Sequence, residues 1–156
     1  MLWRNDRNAI SGVFLVELSE RMKTSIKKKL RVLVADDHDE MRCSIVMCLC
    51  KDFQVVGAVC DGDELVQSAV CLSPDVIVSD IIMPLMDGQT ARNQLLAQGR
   101  QIPFVFVSAL DRKVVEFLAN QPPTAFVYKG DMLTDLSNAV SAVFAGQSYL
   151  SPHYRE

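Results

Sequence analysis

The chain has 156 residues, 49% of them hydrophobic and 22% charged, which suits one globular domain with a substantial core. No apolar run reaches the ~18 residues of a membrane-crossing helix, and GVFLV (12–16), followed by Glu17 and Glu20, lacks the length and cleavage pattern of a secretory signal. The net charge of −3 hides an asymmetry, seven Lys/Arg against three Asp/Glu in residues 1–29 and nine against sixteen afterwards, and so acidic a body is a poor stand-alone nucleic-acid binder.

From residue 30 onward, apolar strands alternate with helical patterns. RVLVA (31–35) predicts a strand, and Met41, Ile45, Cys48 and Leu49 recur at helical spacing after it. FQVVGAV (53–59) predicts a second strand. The next helix opens on Asp61 as N-cap, with Glu64 three residues later as in a capping box. DVIVSD (75–80) is a third strand, and the helix over 88–98 is stopped by Gly99. IPFVFVSA (102–109) is a fourth strand, followed by a helix ending at Pro122-Pro123. TAFVYK (124–129) is a fifth, and an amphipathic helix over 132–146 closes the domain. Strands apolar on both faces imply a five-stranded parallel sheet, doubly wound, with helices on each side.

A nucleotide-binding version of this plan needs a glycine-rich loop after the first strand, and ADDHD stands there instead. Ligands of open parallel sheets bind outside the carboxyl ends of the strands. Those ends carry Asp36 and Asp37, then Asp80, Ser108 and Lys129. Three converging carboxylates repel one another, and a hard divalent cation such as Mg²⁺ relieves that repulsion while keeping positions for phosphate oxygens. A carboxylate beside such a cation is a nucleophile for phosphorus, with Lys129 and the Ser108 hydroxyl placed to neutralise phosphoryl oxygens.

The stretches VADDH, DIIMPLMDG, FVSA and FVYK resemble the response regulator receiver family of two-component signalling over roughly residues 30–150. ADDH and AGQSYLSP are similar to receivers of the NarL/FixJ type, which are usually followed by a DNA-binding domain. The resemblance implies a flavodoxin-like fold with strand order 2-1-3-4-5. It implies that Asp80 accepts phosphate from a phosphohistidine of a sensor histidine kinase. Mg²⁺ would be held by Asp37 directly, Asp36 through water, Asp80, and the backbone carbonyl of Ile82. Ser108 matches the switching hydroxyl, Phe126 the switching aromatic and Lys129 the phosphate-binding lysine. The protein is then a phosphoacceptor rather than an enzyme acting on other molecules. Its homodimer would use the face of the fourth helix, fifth strand and fifth helix, or that of the first and fifth helices. The sequence departs from the pattern at Gly130, where many receivers have proline, and at Asp39, where the subfamily often has it.

Two other readings compete. One is a phosphorylation-independent interaction module that keeps only the fold, against which the full set of site residues argues. The other is a hydrolase working through an aspartyl phosphate, disfavoured because Ile82 stands where such enzymes carry a second aspartate. Residues 1–29 read as a solvated basic extension, with Met22 as a natural start, and 151–156 as the start of a linker or tail, so that the chain is either part of a longer protein with an output domain or a receiver acting alone. The five cysteines (43, 48, 50, 60 and 71) form no metal-binding spacing. They are expected to be reduced and packed as small hydrophobes, in keeping with a cytoplasmic protein that binds neither membrane nor, by itself, nucleic acid.

Overall fold

The computed structural model describes residues 16, 17, 28–119 and 124–155. Most of the basic extension, and the Pro122-Pro123 helix stop, lie outside them. The strands are β1 (Arg31–Ala35), β2 (Gln54–Val59), β3 (Val76–Asp80), β4 (Phe104–Ser108), β5 (Thr124–Tyr128) and β6 (Tyr149–Leu150). The helices are α1 (Asp39–Leu49), α2 (Gly62–Leu72), α3 (Gly88–Ala97), α4 (Arg112–Leu118) and α5 (Met132–Phe144), with 3-10 turns at Lys129–Asp131 and Pro152–Tyr154.

All pairings are parallel, in the order β2-β1-β3-β4-β5-β6. Among the described residues the sheet therefore has six strands rather than the expected five. The sixth aligns Tyr149 with Ala125 and Leu150 with Phe126. Two residues carry no alternation that a periodicity argument can detect.

Side chains alternate across the sheet and so divide the core in two. Val32, Val34, Val76, Val78, Val105 and Val107 face α1 and α5, where Ile45, Leu49, Leu136, Val140 and Val143 meet them. Leu33, Ile77, Phe104, Phe106 and Phe126 face the other way, onto Leu65, Ala69, Ala91, Leu95 and Val115. Strands covered on both faces have no polar side to show, which is why β3 and β4 are buried at every position.

Caps set where the helices begin. Asp61 accepts from the Glu64 amide at 2.8 Å, and Glu64 Oε2 returns the favour to the Cys60 amide at 3.1 Å, close to the expected capping box. Asp87 caps α3 by accepting from the Thr90 amide, and Asp111 caps α4 by accepting from the Lys113 amide. Gly99, at φ +77°, ends α3. The cysteines correct one expectation: all are unbridged, but Cys43, Cys50, Cys60 and Cys71 are exposed and only Cys48 is partly buried. They lie on outer helix and loop positions, where the winding needs no apolar group. No helix among the described residues is long and apolar enough to cross a membrane.

Candidate phosphoacceptor site

The winding reverses between β1 and β3, so the chain leaves these neighbouring strands toward opposite faces and opens a crevice at their carboxyl ends. Asp36 follows β1, Asp80 ends β3, Ser108 ends β4 and Lys129 follows β5. The structure brings all four to this crevice.

Asp36 is fully buried; one oxygen accepts the His38 amide at 2.9 Å and the other lies 3.3 Å from Lys129 Nζ. Asp80 is nearly as buried, with Oδ1 accepting the Ile82 amide at 3.2 Å and Oδ2 accepting from Lys129 Nζ at 2.5 Å. Burial pulls the Lys129 ammonium toward neutrality, but the hydrogen bond and charge of Asp80, then those of Asp36, outweigh it and hold its pKa above the usual lysine range. Ser108 is buried, and its Oγ accepts the Leu110 amide at 3.0 Å, leaving its own proton available to donate. Phe126 lies beneath in the core, its ring 5.5 Å from that of Phe106. A cavity of about 300 Å³ opens over Asp80, bordered by Asp37, Ile82, Ser108, Leu110 and Lys129.

Asp36, Asp37, His38 and Asp80 each turn a ligand atom to within 4.8 Å of the others. Asp37 Oδ1 is buried and receives no hydrogen bond of acceptable geometry, although His38 Nδ1 is 3.0 Å away. A buried carboxylate oxygen without a hydrogen bond is costly, and a hard cation is the partner that the three carboxylates of this set suit best. The donor set thus fits a divalent ion.

The loop from β3 to α3 shapes one wall. Leu85 sits in the left-handed region at φ +64° and is 86% exposed, an arrangement that costs a branched residue about 1 kcal/mol or more. Two bonds hold the loop there: the Gly62 amide to the Met86 carbonyl at 3.1 Å, and the Gly88 amide to the Ile81 carbonyl at 2.8 Å. Arg42, whose Nη1 donates to the Asp36 carbonyl at 2.7 Å, supports the opposite wall. His38, Arg42 and Gly62 received no role from the sequence. Only a carboxylate-rich turn next to a histidine hinted at the first.

The family model of the response regulator receiver domain matches residues 32–140. The chain belongs to this family. It is the receiver domain of a response regulator, the switching component of two-component signalling. Response regulator GacA of Pseudomonas viridiflava is 36% identical over 126 residues, covering 79% of this chain and 59% of the relative. A protein-glutamate methylesterase/protein-glutamine glutaminase of Geobacter sulfurreducens is 33% identical over 137 residues, covering 75% of this chain and 37% of that protein. The receiver domain of the response regulator NarL from Mycobacterium tuberculosis superposes with a TM-score of 0.70 at 28% identity, over 76% of this chain and 98% of that one. This receiver chain therefore spans about 59% of the length of the GacA proteins it matches.

Proposed function

We propose that this receiver takes a phosphoryl group onto Asp80 from the phosphohistidine of a sensor kinase and relays that event to an output. The observation that carries the reading is the Lys129 ammonium, held between the buried carboxylates of Asp80 and Asp36 at the floor of an open cavity. In the transfer, an Asp80 oxygen forms the new P–O bond as the P–N bond breaks. The electron pair of that bond stays on the imidazole, which leaves neutral when its other nitrogen is protonated. Asp80's charge passes to the phosphoryl oxygens, and Lys129, already 2.5 Å away, follows it. Ser108 releases the Leu110 amide and donates its hydroxyl proton to a second phosphoryl oxygen. Asp36, Asp37, Asp80 and the carbonyl of Ile82 would hold Mg²⁺, which supplies further neutralisation of phosphoryl charge.

The readout is a population shift on the face formed by α4, β5 and α5, with Phe126 following Ser108. A DNA-binding output that controls transcription is the reading favoured by the NarL/FixJ-type stretches ADDH and AGQSYLSP; the response regulator GacA is matched over only part of its length. Pairing of two copies through that face, or through α1 and α5, would complete the switch. The test is intact-mass measurement after incubation with acetyl phosphate and Mg²⁺. One phosphoryl group is expected on the parent and none on Asp80→Asn. An adduct of equal size on the variant overturns Asp80 as the acceptor, and none on the folded parent favours the phosphorylation-independent module instead.

A further inference from the structure

The segment after α5 reaches back to the site. Tyr154, in the 3-10 turn at Pro152–Tyr154, is 1% exposed and belongs to the core cluster that also holds Phe104, Phe106, Val115 and Phe126. Its phenol donates to the backbone carbonyl of Ser108 at 3.0 Å, a buried bond spanning 46 positions of sequence. The turn that carries it is tied down independently. The Ser151 amide donates to the Phe126 carbonyl at 2.9 Å, and Ser151 Oγ donates to Asp135 Oδ2 at 2.6 Å while accepting the Tyr128 amide at 3.2 Å. Tyr128 stacks on His153 with ring centroids 3.8 Å apart.

We infer that Tyr154 is a positioning residue for Ser108, so that the segment Tyr149–Arg155 and a phosphoryl group on Asp80 bias one another. The inference rests on the Asp80 reading above. The Ser108 carbonyl belongs to the peptide plane by which the chain leaves β4, and the Leu110 amide that holds Ser108 Oγ lies just beyond that plane. Fixing the carbonyl fixes the turn, and the turn sets how readily the hydroxyl exchanges the Leu110 amide for a phosphoryl oxygen. A phenylalanine would fill the same space, so the hydroxyl is the informative atom. Coupling of this kind is reciprocal: whatever pulls the segment away changes phosphorylation, and phosphorylation changes the hold on the segment.

The test uses the whole 156-residue chain, acetyl phosphate with Mg²⁺, and a double-mutant cycle. Tyr154→Phe should change the rate of phosphate uptake or loss by roughly 3- to 10-fold, the scale of coupled neighbours. In a Ser108→Ala background, which keeps the carbonyl but lacks the hydroxyl, the same change should leave both rates where Ser108→Ala alone puts them. The urea midpoint should fall in both backgrounds, because the carbonyl loses its buried donor in each. Unaltered rates in Tyr154→Phe, or an equal rate change in both backgrounds, overturns the inference and leaves Tyr154 as a core filler. A folded parent that takes up no phosphate fails at the first step, and the Asp80 reading then falls together with the coupling built on it.

Discussion

The Gly62 amide donates to the Met86 carbonyl across 3.1 Å, and a Cβ on Gly62 would stand 2.3 Å from that same oxygen. The start of α2 is thereby pressed against the loop that follows Asp80, and nothing larger than hydrogen fits between them. Gly62→Ala is expected to cost about 1–3 kcal/mol, as overpacking does, and to slow phosphate uptake by displacing the loop. Gly99→Ala is the comparison: its Cβ meets nothing within 4 Å but its φ is +77°. It should cost about 1 kcal/mol and leave uptake alone. Urea denaturation and a phosphorylation time course separate the two effects.

Asp37 and Asp36 differ in what they have left to offer a cation. Both Asp36 oxygens accept hydrogen bonds already, whereas Asp37 Oδ1 accepts none and has only the exposed His38 imidazole beside it. Calorimetric titration with Mg²⁺ should show Asp37→Ala losing more affinity than Asp36→Ala. Equal losses would contradict the ranking.

Phosphate should leave slowly. Hydrolysis of an aspartyl phosphate needs a water in line with the phosphorus, and Ile82 and Leu110 border the cavity where it would stand. Neither can orient a water, and positioning groups contribute about 10²–10⁴-fold where they exist. The double change Ile82→Asn with Leu110→Glu should accelerate phosphate release by at least about 10-fold without impairing uptake. Release within seconds from the parent, or no gain in the variant, would sink this expectation.

Alkaline pH should loosen the fold through Tyr154, whose burial, with smaller contributions from Tyr128 and Asp131, pushes its phenol up to about 12. An unfolded chain releases that proton near pH ~10. Between the two values the native state holds a proton the unfolded state has lost, so rising pH favours unfolding. The contribution is complete below about pH 10 and disappears as pH climbs through the folded value, on the order of 2 kcal/mol in all. Lys129, also shifted upward, adds loss in the same direction. Urea midpoints from pH 8 to 11.5 should therefore fall less steeply in Tyr154→Phe than in the parent, and identical slopes would refute the assignment.

What could be read in advance was whatever repeats or sits at a strand end. Val32 and Val34 against Leu33, or Val105 and Val107 against Phe104 and Phe106, announce a strand covered on both faces. Once the winding order is known, a residue after such a strand has one place to go, and Asp36, Asp80, Ser108 and Lys129 were legible for that reason. Contacts made by the tertiary fold alone were not. SPHYRE is polar and short and reads as a tail, yet Ser151 and Tyr154 are buried because β6 carries the chain along β5 to a gap beside the Ser108 carbonyl. The cysteines misled in the opposite sense. Their type favours burial, but Cys43, Cys50, Cys60 and Cys71 fall on positions that the helices and loops turn outward.

The two-residue strand β6 has a further consequence, for solubility. β5 reads TAFVY, buried over its first four positions, and β6 with Ser151 takes up the main-chain groups of Ala125, Phe126 and Tyr128 on its outer side. Without that cover, an apolar strand would present a row of unsatisfied donors and acceptors to any other extended chain, the usual template for edge-to-edge aggregation. The same segment that carries Tyr154 to the Ser108 carbonyl thus also acts as a gatekeeper against self-association of the sheet. A version cut before Tyr149 would be expected to precipitate at concentrations where the full chain stays dispersed.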